Sequence, residues 1–332
     1  MCEKDKKRGG MVEENKEQQV KLDEILKSLF AVSKKVLITM MNSLFKENFD
    51  AEMTEVTFEN NEFVTDEYDI IRGDLFLKIL QEQKPYHYHI ELQTTNDSTM
   101  VIRMFEYGFK KAKELTKYEG IEETVIYIPK QLVIFIEQNR NIKKELQMKL
   151  IFPNGQEVKY VVPVMKYWEY DDKDIIEQKI YPLLPLQVFK LRHKMEQAKR
   201  NKELGLKETV IEAKQVAEII AKDGKWLYDN GEINGDDLHR ILLAIGNLFE
   251  YLNNRYGDDK GLEEEVLTMT KTLYNPVVEE RAKIEGKLEG KLEGKLEERV
   301  YIARNLIDIL DDDTISRKTG LPMDEVKKLR LQ

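Results

Sequence analysis

The sequence predicts an α/β core followed by an all-α region. Three observations carry this. Leu75 to Ile79 and Tyr86 to Gln93 alternate residue types with the period of two that a strand imposes. Met100 to Lys117, lying between strand signals, places Ile102, Phe105, Phe109, Ala112 and Leu115 at helical spacing, as one apolar side. From Asp174 onward the strand signals stop and helical periods remain. Strands mixed with helices, then helices alone, define the class.

The elements follow in order. Residues 1–20 are polar and charged and read as a solvated, disordered tail. Leu22 to Phe45 has apolar positions at helical spacing, enough for one or two helices. Val56 to Val64 alternates weakly, and Tyr68 to Leu80 and Tyr86 to Gln93 do so more strongly. Thr124 to Ile136 is rich in β-branched residues and interrupted by Pro129. Gln147–Phe152 and Val158–Tyr167 flank the turn sequence PNGQ and read as a hairpin. The core is therefore expected over 21–170. Helices are expected over 175–198, 210–228 and 236–256, the last with Asp236 as N-cap, which gives a helical region over 171–260.

The segment 261–332 is expected to be a helical tail. Residues 284–295 repeat as IEGK LEGK LEGK, with a period of four close to the helical 3.6. Glycines inside a helix cost about 1 kcal/mol each relative to alanine, so a lone helix of this sequence is weak. A glycine row that admits a close backbone, sealed by a leucine row, instead suits a second helix, so self-association into a homo-oligomer or docking through this repeat is expected, with a semi-flexible charged spacer as the alternative. Residues 301–329 read as two short helices around Gly320–Leu321–Pro322. Asp311, Asp312 and Asp313 would repel phosphate there, so a packing hairpin is favoured over a DNA contact.

Composition limits the function classes. The chain has 332 residues, with 53 Lys plus Arg against 62 Asp plus Glu, a net charge of −9. An apolar content of 41% suffices for a core, which excludes a wholly disordered chain. No apolar run is long enough to span a membrane, and the first 24 residues lack a secretory core, so a cytoplasmic protein is expected. A single cysteine, Cys2, excludes an internal disulfide and a multi-cysteine zinc site. The acidic balance argues against a nucleic-acid coat, though not against an enzyme with a local basic groove.

Chemistry concentrates in the two alternating runs. Tyr86, Tyr88, Ile90 and Leu92 share one face of the second run, and His87, His89, Glu91 and Gln93 share the other. Folding both runs into a hairpin centred between Glu82 and Gln83 sets Leu75 opposite Ile90, Leu77 opposite Tyr88 and Ile79 opposite Tyr86. A slip of one residue would exchange the two faces. The same register places Asp74 opposite Glu91, at a cross-strand Cβ separation of about 4.5–5.5 Å. Carboxylates that close either share a proton or hold a cation. Oxygen donors suit Mg²⁺ or Mn²⁺, and Gln93 on the same face can orient a water. Such a metal can polarise a phosphodiester and generate its attacking hydroxide.

Asp74, then Glu91–Leu92–Gln93 about 17 residues later, resembles the PD-(D/E)XK nuclease motif, with Gln93 in place of the usual lysine. The nearest likeness is to the recombination-promoting nuclease / putative transposase family. Further parts of that pattern are the Asn-containing segment Ile38 to Phe45, Arg103–Met104–Phe105–Glu106–Tyr107, Tyr181–Pro182–Leu183–Leu184–Pro185–Leu186, and the Gly-Glu repeat. The likeness spans roughly 25–190. It implies a restriction-endonuclease-like core, a mixed sheet flanked by helices, and a metal-dependent DNA endonuclease. Asp74 and Glu91 would be metal ligands and catalytic residues with Gln93. Arg103, Tyr107, Lys110 and His89 would be DNA or phosphate contacts. The sequence departs from the superfamily where Asn42 stands on the helix that often carries an acid. The alternative is a DNA-binding or protein-interaction module of the same fold that does not cut.

Overall fold

The computed structural model describes residues 22, 24–59, 62–64, 70–72, 75–116, 124–201, 205–257, 259–307 and 309–330. The chain is mixed α/β, with a six-stranded mixed sheet and a helical C-terminal region. After a helical turn at 24–28 comes α1 (Lys34–Phe45). Ser33 caps it by accepting from the Val36 N–H, and Lys46 closes it in the left-handed conformation. Asn42 then brackets the chain, donating to the Phe49 carbonyl at 2.9 Å and accepting from its N–H at 2.8 Å.

The strands are β1 (Thr54–Phe58), β2 (Glu62–Val64), β3 (Ile70–Arg72), β4 (Leu75–Gln81) and β5 (Lys84–Gln93). After α2 (Met100–Leu115) come β6 (Lys130–Phe135), β7 (Glu145–Ile151) and β8 (Glu157–Lys166). The main sheet has the order β1-β4-β5-β6-β8-β7, while β2 and β3 form a separate antiparallel pair. Strands β1, β4 and β5 are antiparallel neighbours, β5–β6–β8 are parallel, and β7 returns antiparallel to β8. The β4–β5 register is the expected one, with Leu75 opposite Ile90, Leu77 opposite Tyr88 and Ile79 opposite Tyr86. Its turn holds Glu82 and Gln83 at φ 50° and 64°, the mirror-image turn that matches strand twist. Asp74 lies outside the described residues.

Both faces of the sheet are covered at its centre, over β4, β5 and β6. Phe45 lies 4.7 Å from Tyr88, centroid to centroid, and Phe49 lies 5.1 Å from Tyr86, so the end of α1 packs on the apolar row of β5. Helix α2 covers the other face, where Met100 and Met104 pack with Val133, Phe135, Ile142 and Val162. The expected apolar side of α2 is corrected in part, since of its residues only Ala112 is fully turned inward. Ile102 is 57% and Phe109 41% exposed, whereas Met100, Met104, Tyr107, Gly108, Lys111 and Ala112 are buried. Residues 124–129 form no strand, and β6 begins after Pro129, which cannot donate to a ladder.

The helical region contains α3 (Asp172–Glu177), α4 (Leu186–Phe189), α5 (Arg192–Asn201), α6 (Leu206–Asp229) and α7 (Gly235–Leu252). The continuous helix expected over 175–198 is broken into short pieces. Lys179 turns left-handed at φ 56°, and Pro182 and Pro185 interrupt the hydrogen-bond ladder. The cap of α7 is Asn234, in a reciprocal box with Asp237, and not Asp236. Asp237 is fully buried and also accepts from the Ser33 N–H at 2.6 Å and from its hydroxyl at 2.7 Å, tying α7 to the start of α1.

The long helix α8 (Lys260–Leu306) contains the Gly-Glu repeat, and α9 (Asp312–Thr319) and α10 (Met323–Arg330) follow. Contacts divide the chain into two units, Met1–Leu273 and Tyr274–Gln332. The second unit buries Ala303, Ile315, Leu321 and Val326 around a left-handed Gly320. Arg330 closes it by donating to Asp312 and to the Ile307 and Leu310 carbonyls. Among the described residues no helix is long and apolar enough to cross a membrane.

Candidate functional site

The polar row of β5 lies beneath α2. Glu91 is 1% exposed and His89 is fully buried. Burying a carboxylate this deeply is costly unless donors surround it. Glu91 Oε1 accepts from Arg103 Nη2 at 3.0 Å and from Gln93 Nε2 at 3.1 Å. Glu91 Oε2 lies 3.5 Å from His89 Nε2. Helix α2 brings Arg103 to this point through its first turns, and Arg103 is the half-buried hub of the cluster. Its Nη1 reaches Asp97 Oδ2 at 3.3 Å, and its Nε donates to the Tyr107 hydroxyl at 3.2 Å, one helical turn on.

The electrostatics follow from these contacts. Burial alone would lower the Arg103 guanidinium, but the Tyr107 hydroxyl and the Glu91 charge carry it above its usual range. Burial raises the Tyr107 phenol, although the Arg103 hydrogen bond opposes this. The Thr99 hydroxyl and N–H hold Asp97 below the usual carboxylate range. Asp97 also lines a cleft of about 550 Å³ with Asn96, Ser98, Asn141, Lys143 and Gln147. That cleft opens beside the loop that follows β5, outside the carboxyl end of a parallel strand, where ligands of α/β sheets commonly sit.

The structure thus brings together Glu91, Gln93, Arg103, Tyr107 and His89. Two of the expected phosphate contacts, His89 and Tyr107, are buried. His89 has no exposed surface, and its ring stacks on Phe76 at 4.2 Å and 6°. Tyr107 is buried as well, with its hydroxyl turned to Arg103. Lys110 is separate from this cluster and pairs with Glu106 at 2.9 Å. A second group lies on the same sheet face, where His87 Nδ1 is 3.0 Å from Glu59 Oε2. Burial raises Glu59, but that hydrogen bond and the charges of Lys111 and Lys78 bring it below its ordinary value.

Three residues of the site were not singled out in the sequence: Gln131, Tyr160 and Gly108. Gln131 Nε2 lies 2.9 Å from His89 Nδ1 and donates to the Met104 carbonyl at 2.6 Å, while the Tyr160 hydroxyl donates to Gln131 Oε1. A Cβ at Gly108 would stand 2.9 Å from Gln131 Nε2, so glycine makes room for the amide. The available signals were a lone amide at the head of the apolar run 132–136 and a glycine in mid-helix.

The oxygen donors Glu91 and Gln93 fit a hard divalent cation in kind. Among the described residues no group of three His, Cys, Asp or Glu side chains is placed to hold a metal. Comparison with protein-family models, curated proteins and solved structures finds no match to this chain.

Proposed function

We propose that the chain is a metal-dependent DNA endonuclease with a restriction-endonuclease-like core, of the recombination-promoting nuclease / putative transposase kind. The observation that carries this reading is a carboxylate, Glu91, buried near the carboxyl end of a central strand with Gln93 and Arg103 at its Oε1. Glu91 and Asp74 would hold Mg²⁺ or Mn²⁺, which supplies polarisation of the phosphate and an activated water. Asp74 enters on the sequence register alone. Gln93 orients the water or the scissile phosphate. Arg103 moves from Glu91 to a phosphate oxygen as substrate enters from the cleft beside Asp97. Lys143, on that cleft, supplies a second cation for the backbone. DNA is the partner, two copies associate through the repeat in α8, and the protein works in the cytoplasm.

A second reading has its own support. Glu91 Oε1 already accepts two hydrogen bonds, one from a guanidinium, and a glutamine stands where the motif has its lysine. A site satisfied in this way suits a DNA-binding module that does not cut.

One experiment separates the two: incubation of supercoiled plasmid with the wild type and with Asp74→Ala, in Mg²⁺, Mn²⁺ and EDTA. Metal-dependent nicking lost in the variant supports the nuclease. Equal nicking by both proteins refutes the assigned ligand. DNA binding in EDTA without cleavage under either metal favours the second reading.

A further inference from the structure

We propose that Gln131 is a positioning residue that locks His89 in its Nε2–H tautomer, and so aims an N–H at Glu91 Oε2. The Met104 carbonyl can only accept. The amide end 2.6 Å from it is therefore the NH₂ of Gln131, which leaves Oε1 to accept from Tyr160. One hydrogen of that NH₂ serves Met104. The other points to His89 Nδ1, 2.9 Å away. Two N–H groups cannot share that line, so Nδ1 must present its lone pair. A neutral imidazole with Nδ1 bare carries its proton on Nε2.

His89 Nε2 is buried, makes no hydrogen bond among the described residues, and faces Glu91 Oε2 at 3.5 Å. The ring is not at liberty to choose another arrangement. It stacks on Phe76 and has the Tyr107 ring edge-on at 5.7 Å. A half-turn about its axis would set a C–H against the Gln131 amide. The seat of that amide is in turn kept by Gly108, since a Cβ there would stand 2.9 Å from Gln131 Nε2. The series Tyr160, Gln131, His89, Glu91 thus crosses from β8 through β6 to β5 and ends on the carboxylate. With Arg103 and Gln93 on Oε1 and the His89 N–H toward Oε2, the carboxylate plane is set from both sides. The catalytic consequence rests on the nuclease reading, whereas the tautomer does not.

The test is long-range ¹H–¹⁵N correlation on the full chain labelled at histidine, at pH 7.5, with His89 assigned by loss of its signals in His89→Phe. The expected wild-type pattern is Nε2 protonated and Nδ1 bare. An Nδ1–H tautomer, or protons on both nitrogens, overturns the proposal. Gln131→Leu should give a mixed or reversed pattern, and Gly108→Ala, which displaces the amide, should do the same if Gln131→Leu does not fold. Tyr160→Phe should keep the wild-type pattern, because Met104 still fixes the NH₂ end. An unchanged pattern in folded Gln131→Leu also overturns the proposal. In Glu91→Gln the His89 Nε2 proton should move upfield on losing a charged acceptor, and no movement refutes the link to Glu91. If the wild type does not cleave DNA, the nuclease reading fails while these spectra still decide the lock. If it cleaves, Gln131→Leu should lose about 10–100-fold in activity, the usual cost of removing a group that orients a metal ligand.

Discussion

Arg103 Nη2 stands 3.0 Å from Glu91 Oε1, so a guanidinium guards a carboxylate with almost no surface of its own. Arg103 is itself 34% exposed, and the pair is asymmetric. Arg103 also bonds Asp97 and Tyr107, and Glu91 also accepts from Gln93, so the asymmetry lies in burial: Glu91 is 1% exposed.

Arg103→Ala is therefore expected to destabilise the fold by about 1–3 kcal/mol, the cost of weakening the satisfaction of a buried acceptor. In a Glu91→Gln background the same change should cost less, since no buried charge is then left behind. Urea unfolding of the four proteins measures this coupling. Equal costs in both backgrounds would show that Arg103 does not compensate Glu91.

Asp223 on α6 provides a pH dependence remote from the site. Burial, reinforced by the charge of Asp172 and a hydrogen bond between the two side chains, pushes its carboxyl up to about 6. A carboxyl raised above its unfolded value binds its proton more tightly in the folded state. Its contribution is therefore complete at low pH and is lost as pH rises through about 6. Urea midpoints between pH 4.5 and 7.5 should fall on this account, and Asp223→Asn should flatten the fall. A slope unchanged in the variant would assign the effect to other groups.

The β4–β5 turn holds two side-chain-bearing residues at positive φ, Glu82 and Gln83. Left-handed backbone costs an L-residue about 1–2 kcal/mol. Gln83→Gly should therefore raise stability by about 1 kcal/mol, less the entropy glycine loses on folding. Thermal unfolding would show it as a higher midpoint, and a lower midpoint would mean that the Gln83 side chain makes a stabilising contact.

The start of α7 distinguishes two neighbouring residues. Asn234→Ala removes the side chain that accepts from the Asp237 N–H, and should cost about 1 kcal/mol. Asp236→Ala should cost less, since Asp236 lies past the cap. Chemical denaturation of both variants checks the ranking, which the reverse order would refute.

Much of this architecture was legible in the residues, and the reasons are local. Alternation along 75–79 and 86–93 restricts the pairing to even slips that keep apolar opposite apolar, and the structure has the one centred at Glu82–Gln83. PNGQ marked the β7–β8 turn for the same kind of reason, with Gly155 at φ 83°. The association of Glu91 with Gln93 likewise follows from their shared strand face.

The buried side of α2 was not legible. Ile102 and Phe109 are the more apolar residues, yet Tyr107, Gly108 and Lys111 are the ones turned inward. A helix settles by matching the surface beneath it, and the surface here is the polar row of β5 together with Gln131. That row needs a guanidinium and a backbone carbonyl, which Arg103 and Met104 supply. The sequence by itself determined the strand faces, the register, and the residues that share a face, because these depend on neighbours within one hairpin. The tertiary structure decided that this polar face is buried, which helix side covers it, and that Gln131, Tyr160 and Gly108 belong to the site. Those relationships join residues 12 to 42 positions apart, and only packing puts them in contact.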